Sequence, residues 1–284
     1  GSMCGKALSS APYGKLGDEK DSNPAQKLVA AGDEKAFVEL VCADQPDPPA
    51  YFAYDADLNR RERQTLDEAL QRSVVPWSLG RFLEMREAGA QVLDVRDPEE
   101  FEKSHLAGSI NVGLNGSFAT WAGTVLDRER EILIIAEPGK EREAALRLGR
   151  IGLDRVAGYL EGGAAALAAK PELLRTIRRV LPAEFEKERA AGEVDALVVD
   201  VRTPGEHRTA SVPGSVLIPL RRFQERIAEL PKDRPLVLHC KSGYRSAVAA
   251  SLLEGAGFEA FRDLVGGFDA WLQETGGEAP TCSA

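Results

Sequence analysis

Histidine, methionine and cysteine are scarce in this chain of 284 residues, which has three, two and four of them. The three histidines, His105, His207 and His239, are too few and too dispersed to build a catalytic iron or zinc site, so no metal and no other cofactor is expected. The four cysteines, Cys4, Cys42, Cys240 and Cys282, stand at distances that suggest no disulfide framework, in keeping with a reducing compartment. No apolar run is long enough to cross a bilayer and no signal peptide is evident ahead of the first domain, so a cytoplasmic location is expected. Basic residues are in deficit, 36 against 45 acidic ones, for a net charge of −9. That balance argues against nucleic acid or an anionic membrane surface as partner and leaves small molecules.

Against this background Cys240 stands out. The apolar run Leu236-Val237-Leu238-His239 leads into Cys240-Lys241-Ser242-Gly243-Tyr244-Arg245-Ser246, a strand breaking into a short loop and then a helix. A loop wrapped around a sulfur at a helix start aims backbone N–H groups inward, and the helix dipole and Arg245 add positive potential that favours an anionic sulfur. A free cysteine is more often a small buried hydrophobe, but such a cysteine is not followed by an anion-cradling loop and an arginine. The spacing is Cys-x4-Arg. A loop with five intervening residues suits a tetrahedral phosphate, and this shorter ring better suits a single sulfane sulfur. Arg245 is expected to organise the loop and supply field, with its fork on loop carbonyls or a nearby carboxylate. Lys241 and Tyr244 are placed to project at the mouth. His239, next to Cys240 on a strand, points to the opposite face and reads as a packed histidine.

The surrounding segments resemble the rhodanese family of sulfurtransferases. Leu197-Val198-Val199-Asp200-Val201-Arg202-Thr203-Pro204-Gly205-Glu206 with Val212-Pro213-Gly214-Ser215 looks like its opening signature, and Leu264-Val265-Gly266-Gly267-Phe268-Asp269-Ala270-Trp271 like its closing one. Together they cover about a hundred residues in the right order. One departure is Ser211, where the family usually has a histidine before the Pro-Gly turn. That histidine is not the nucleophile, so the change is read as structural.

The pattern occurs twice. Leu93-Asp94-Val95-Arg96-Asp97-Pro98, His105-Leu106-Ala107-Gly108 and Leu160-Glu161-Gly162-Gly163 repeat the later segments, but Ile132 to Ile135 runs into Ala136-Glu137-Pro138-Gly139-Lys140-Glu141. Alanine takes the place of the cysteine, so this copy is expected to be inactive, a packing partner or a wall of the site. Asp200 and Arg202 read as a structural ion pair, since Asp94 and Arg96 keep it in the copy without the thiol.

Alternating strands and helices in each repeat predict an α/β fold with mainly parallel sheets flanked by helices. The expected domains are 76–170 and 171–284, preceded by a mostly helical segment, 1–75. In the second repeat strands are expected at 195–201, 216–219, 236–239 and 260–265, and helices near 182–191, 204–209, 221–229 and 244–254. In the first segment, Asn23-Pro24 and Asp33 look like helix starts, the prolines of 45–49 break the chain, and 60–71 reads as a charged helix. Cys4 to Ser9, Gly17 to Lys20 and the proline-rich stretch before Tyr51 are similar to the closing segment of metallo-β-lactamase-fold persulfide dioxygenases, a kind found fused ahead of tandem rhodanese domains. That resemblance implies a covalently linked dioxygenase domain missing from this chain.

The rhodanese resemblance implies a sulfurtransferase that carries sulfur as a Cys240 persulfide. Donors would be thiosulfate or a low-molecular-weight persulfide such as glutathione persulfide, and acceptors thiols, sulfite or cyanide. Cys240 and Arg245 would be catalytic, with Lys241, Ser242, Gly243, Tyr244 and Ser246 binding substrate. Cys282, in the tail, is a possible resolving thiol. Two alternatives stay open: a noncatalytic regulatory module, and a phosphatase or arsenate reductase on the same thiolate loop.

Overall fold

The computed structural model describes residues 15–43, 52, 54, 57, 60, 66–192 and 195–276. The chain divides into two compact units, 1–52 and 53–284. In the first, three short helices follow one another, Leu16–Ser22, Pro24–Ala30 and Glu34–Cys42. The two expected starts are real caps: the Asn23 side chain accepts from Ala25 N and Gln26 N, and that of Asp33 from Ala36 N. The helix over 16–22 was not foreseen. The expected break at 45–49, the Cys4 segment and Cys282 lie outside the described residues.

The second unit contains two five-stranded sheets, each wholly parallel and each with the same order. In the first repeat the strands run Pro76–Trp77, Val156–Leu160, Ile132–Ile135, Gln91–Asp94 and Ile110–Asn111 across the sheet. The second repeat matches it with Arg178–Val180, Phe261–Leu264, Leu236–His239, Leu197–Asp200 and Val216–Leu217. Central strands buried on both faces must be apolar throughout, and Ile132 to Ile135 and Leu236 to Leu238 are. A core of Phe82, Val92, Leu106, Leu133, Ile135 and Leu160 fills the first repeat. Val180, Phe185, Val198, Val237, Phe268 and Trp271 form a corresponding cluster in the second.

Most expected elements of the second repeat are present, at Pro182–Ala191, Pro204–Thr209 and Tyr244–Gly255 among the helices. The expected helix over 221–229 is a four-residue α-turn, Phe223–Arg226, between two 3-10 turns, because Arg222 and Arg226 leave the helical region at ψ 6 and 0°. The described helix in the 60–71 region spans Leu66–Ser73. Among the elements not anticipated, two belong to the second repeat's layered core. Arg178–Val180 is an edge strand whose side chains carry no alternation, and Gly267–Glu274 is a helix that starts on two glycines.

The helix Tyr244–Gly255 is buried almost all round, from Ser246 through Leu253. One side packs on its own sheet and another on the first repeat, where Ser251 Oγ accepts from the edge-strand amide of Asn111 at 3.1 Å. Glu254 accepts from Gly108 N and pairs with His105 Nε2, both at 2.9 Å. Unpaired N–H groups at a sheet edge must find acceptors, and here the following repeat supplies one.

Candidate active site

The thiol of Cys240 sits where the central strand Leu236–His239 ends, at the carboxyl edge of the parallel sheet, where open α/β sheets hold ligands. Three residues on, Gly243 adopts φ +106° and starts the helix Tyr244–Gly255. This turn brings Gly243 N to 3.1 Å from Sγ and Ser246 Oγ to 3.7 Å. Cys240 is only 1% exposed, so the sulfur lies at the floor of the loop rather than on its rim.

The carbonyls of Cys240 and Lys241 are held on the side away from the sulfur. Phe268 N donates to Cys240 O at 2.8 Å and Asp269 N to Lys241 O at 3.0 Å, so the first turn of Gly267–Glu274 holds the outer side of the loop. The approach requires glycine at 267: a Cβ there would stand 2.6 Å from Cys240 O, and φ is +61°. With these two carbonyls engaged outside, the Gly243 amide hydrogen points at the sulfur. The first repeat has the same device, since a Cβ on Gly163 would collide with Ala136 O.

Arg245 is gripped by Glu206 through two hydrogen bonds, Nη1 to Oε2 at 2.8 Å and Nη2 to Oε1 at 2.7 Å. Glu206 is also the third helical residue after the Thr203 cap, accepting from Thr203 N at 2.9 Å and Oγ1 at 2.8 Å. Burial alone would raise its carboxyl, but Arg245 and Thr203 outweigh this and hold it at about 2. Glu206 was not singled out from the sequence, although Thr-x-x-Glu is a legible capping box and the fork of Arg245 was expected to find a carboxylate.

Lys241 and Ser242 are exposed at the rim, as a substrate-facing role requires. Tyr244 differs from expectation: its hydroxyl donates to Gly113 O of the first repeat at 2.7 Å, and its ring packs on Gly116. Burial raises its phenol above the ordinary range, so it remains a neutral donor. Ser246 is fully buried and reaches the sulfur from beneath.

The structural ion pairs match across the repeats. Arg202 Nη2 lies 2.6 Å from Asp200 Oδ2 and 2.8 Å from Ala210 O, and Arg96 Nη2 lies 2.6 Å from Asp94 Oδ2 and 2.9 Å from Ser104 O. The histidines are less dispersed than the sequence suggested. His207 Nδ1 lies 2.9 Å and His239 Nε2 3.9 Å from the same Asp200 oxygen. His239 is fully buried away from the thiol, and burial pushes its imidazole down to about 4. His105 ties Phe101 O to Glu254, and Ser211 occupies the corresponding place in the second repeat.

The second repeat is thus a parallel α/β unit with a cysteine at the end of its central strand, in a short loop that opens the helix Tyr244–Gly255. The family model for the rhodanese-like domain matches residues 78–170 and 181–274, and the chain belongs to that family. It is similar to a sulfurtransferase of Allochromatium vinosum, with 36% identity over 93 residues, 33% of this chain and 87% of that protein. The thiosulfate sulfurtransferase GlpE of Pseudomonas syringae is 36% identical over 86 residues, 30% of this chain and 81% of its own. An HTH-type transcriptional regulator of Mycobacterium tuberculosis is 37% identical over 79 residues, 28% of this chain and 34% of the regulator. Among solved structures, a rhodanese-related protein of Thermoplasma volcanium aligns with 30% identity over 34% of this chain and 92% of its own, at TM-score 0.31.

Proposed function

We infer that the chain is a sulfurtransferase that carries sulfane sulfur on Cys240, taking it from thiosulfate or a low-molecular-weight persulfide such as glutathione persulfide. The observation that carries this reading is the polarity of the loop: Gly243 N–H on Sγ inside, with the carbonyls of Cys240 and Lys241 bonded outside. The Cys240 thiolate attacks the outer sulfur of the donor. A Cys240 S–S bond forms as the donor's S–S bond breaks, and sulfite or a thiolate leaves with the electron pair. The new sulfur, bonded at about 2.05 Å, stands further into the ring of amides, which favours its negative charge. An acceptor thiolate, sulfite or cyanide then attacks that sulfur, and Cys240 departs as thiolate.

Arg245, held by Glu206, keeps positive charge beside the loop, and Lys241 and Ser242 meet the anionic part of the donor. The first repeat, with Ala136 in place of the thiol, walls the site through Gly113 and Gly116 rather than turning over substrate. Residues 1–75 are read as the tail of a metallo-β-lactamase-fold persulfide dioxygenase, on the sequence resemblance of that segment. Adding such a domain and finding no change in glutathione persulfide turnover would count against that part.

The test is intact-mass analysis after thiosulfate treatment. One added sulfur atom on the Cys240 peptide, released by cyanide and lost in Cys240→Ser, is the expected result. Absence of added sulfur on a folded protein overturns the reading. It would favour a noncatalytic module, which the likeness to part of a transcriptional regulator supports.

A further inference from the structure

The first repeat reaches the floor of the thiol loop through a chain of buried polar groups. Glu102, on the helix Pro98–Lys103 of the first repeat, and Asp263, on the strand Phe261–Leu264 of the second, are each 2% exposed. Their carboxyl groups lie within hydrogen-bonding reach of one another. Glu102 Oε1 and Asp263 Oδ1 have no N–H or O–H donor among the described residues. Two ionised carboxylates offer only acceptors, so this contact is satisfied when one proton lies between them.

The surrounding charges place that proton. Arg179 Nε stands 3.0 Å from Glu102 Oε2 and favours the ionised form there, although Arg179 is shared with Glu99 at 3.3 Å. His105 also faces Glu102, but its ring is held by Phe101 O and Glu254. Asp263 faces Glu102, Arg179 and the Ser246 hydroxyl. Burial pushes Glu102 up to about 7, and burial with the Glu102 charge raises Asp263 well above the carboxylate range. The proton therefore belongs chiefly to Asp263.

Ser246 links this pair to the sulfur. Its one hydroxyl hydrogen has Gly243 O at 3.1 Å and Cys240 Sγ at 3.7 Å as acceptors, and the Asp263 carboxyl faces it from the neighbouring strand. A neutral acid is a weaker acceptor than a carboxylate. With Asp263 protonated toward Glu102, the Ser246 hydrogen is free to serve the sulfur. With Asp263 ionised, it is drawn away.

We propose that Glu102 of the thiol-free repeat is a positioning residue for Cys240: by holding a shared proton on Asp263, it leaves the Ser246 hydroxyl to donate to the sulfur. This rests on Cys240 being the reactive thiol, but it concerns the reactivity of that thiol toward any electrophile. The test is therefore the iodoacetamide alkylation rate of Cys240 in the full chain, mapped by peptide mass from pH 6 to 9, which needs no sulfur donor. Failure of sulfur loading with this pattern intact would sink the sulfurtransferase reading and leave the coupling standing.

Glu102→Gln supplies an amide donor that stabilises ionised Asp263, and should change the alkylation rate by roughly two- to tenfold, the worth of one hydrogen bond. Asp263→Asn mimics the protonated acid and should keep the low-pH rate of the wild type. The ratio of Asp263→Asn to wild type should stay near one at low pH and depart from it as the pair loses its proton. In a Ser246→Ala background, Glu102→Gln should have no further effect. A purely structural role would lower thermal stability in each variant and leave these ratios flat with pH, which would overturn the proposal. So would an undiminished effect of Glu102→Gln without the Ser246 hydroxyl. Should the variants not fold, infrared difference spectra of the wild type should show a protonated-carboxyl C=O band near neutral pH that bleaches toward pH 9, and its absence would refute the shared proton.

Discussion

Glu206 closes on Arg245 with both carboxylate oxygens, at 2.8 and 2.7 Å, while the same carboxylate caps the helix Pro204–Thr209 through Thr203. The arginine beside the thiol is thereby fixed from a helix distant in sequence. A planar fork matched to a carboxylate loses little entropy on pairing and sets direction as well as charge.

Arg245→Lys keeps the charge and loses the fork. Sulfur loading of Cys240, followed by single-turnover mass analysis, should slow by roughly tenfold or more. Glu206→Gln retains a cap acceptor but weakens the grip, and should slow loading less than Arg245→Lys. Equal rates in all three proteins would remove Arg245 from the site.

Gly267→Ala places a Cβ 2.6 Å from Cys240 O at φ +61°. We expect a loss of about 3 kcal/mol or more in denaturant unfolding, from overpacking and left-handed strain together, with sulfur loading abolished because the loop must shift. Gly163→Ala meets Ala136 O in the same way. It should cost comparable stability yet leave loading on Cys240 measurable in the folded protein.

Tyr244→Phe deletes the hydrogen bond to Gly113 O. Thermal or denaturant unfolding should show a loss of about 1 kcal/mol, and loading should change by no more than a few-fold, since the hydroxyl faces the neighbouring repeat. A collapse of loading without a stability change would restore the substrate-facing role first assigned to it.

Two buried groups give opposite pH trends in stability. His239, pushed down to about 4, binds its proton more readily in the unfolded chain, so stability falls as pH drops from about 6.5 toward 4. The Glu102–Asp263 pair binds its shared proton more tightly in the folded chain, with Glu102 pushed up to about 7, and that contribution is lost as pH rises from about 4.5 through 7. Each limb amounts to at most about 3 kcal/mol. Unfolding curves across this range should lose the acid limb in His239→Leu and the alkaline limb in Glu102→Gln.

Local chemistry made much of the second repeat legible in advance. The three apolar residues Leu236 to Leu238, ahead of His239 and Cys240, had to be a buried strand, Gly243 had to start a turn, and the alanine-rich stretch after Ser246 had to be a helix. The duplication was equally plain, because Asp94 with Arg96 and Asp200 with Arg202 recur in the same local pattern, as did the replacement of the thiol by Ala136. Those features rest on contacts within a few residues, which a sequence spells out directly.

What folding across long separations decided is the setting of the thiol. Glu206 on Arg245, Gly267 under the loop carbonyl, Tyr244 on Gly113 and Glu102 against Asp263 all join segments that sequence leaves far apart. A carboxylate or a glycine looks the same in sequence whether it meets water or a partner, and only packing removes the water and gives the partner its energetic weight. The loop and its cysteine were thus determined by the chain alone, while the direction of its dipoles, the depth of the sulfur and the part played by the thiol-free repeat belong to the tertiary structure.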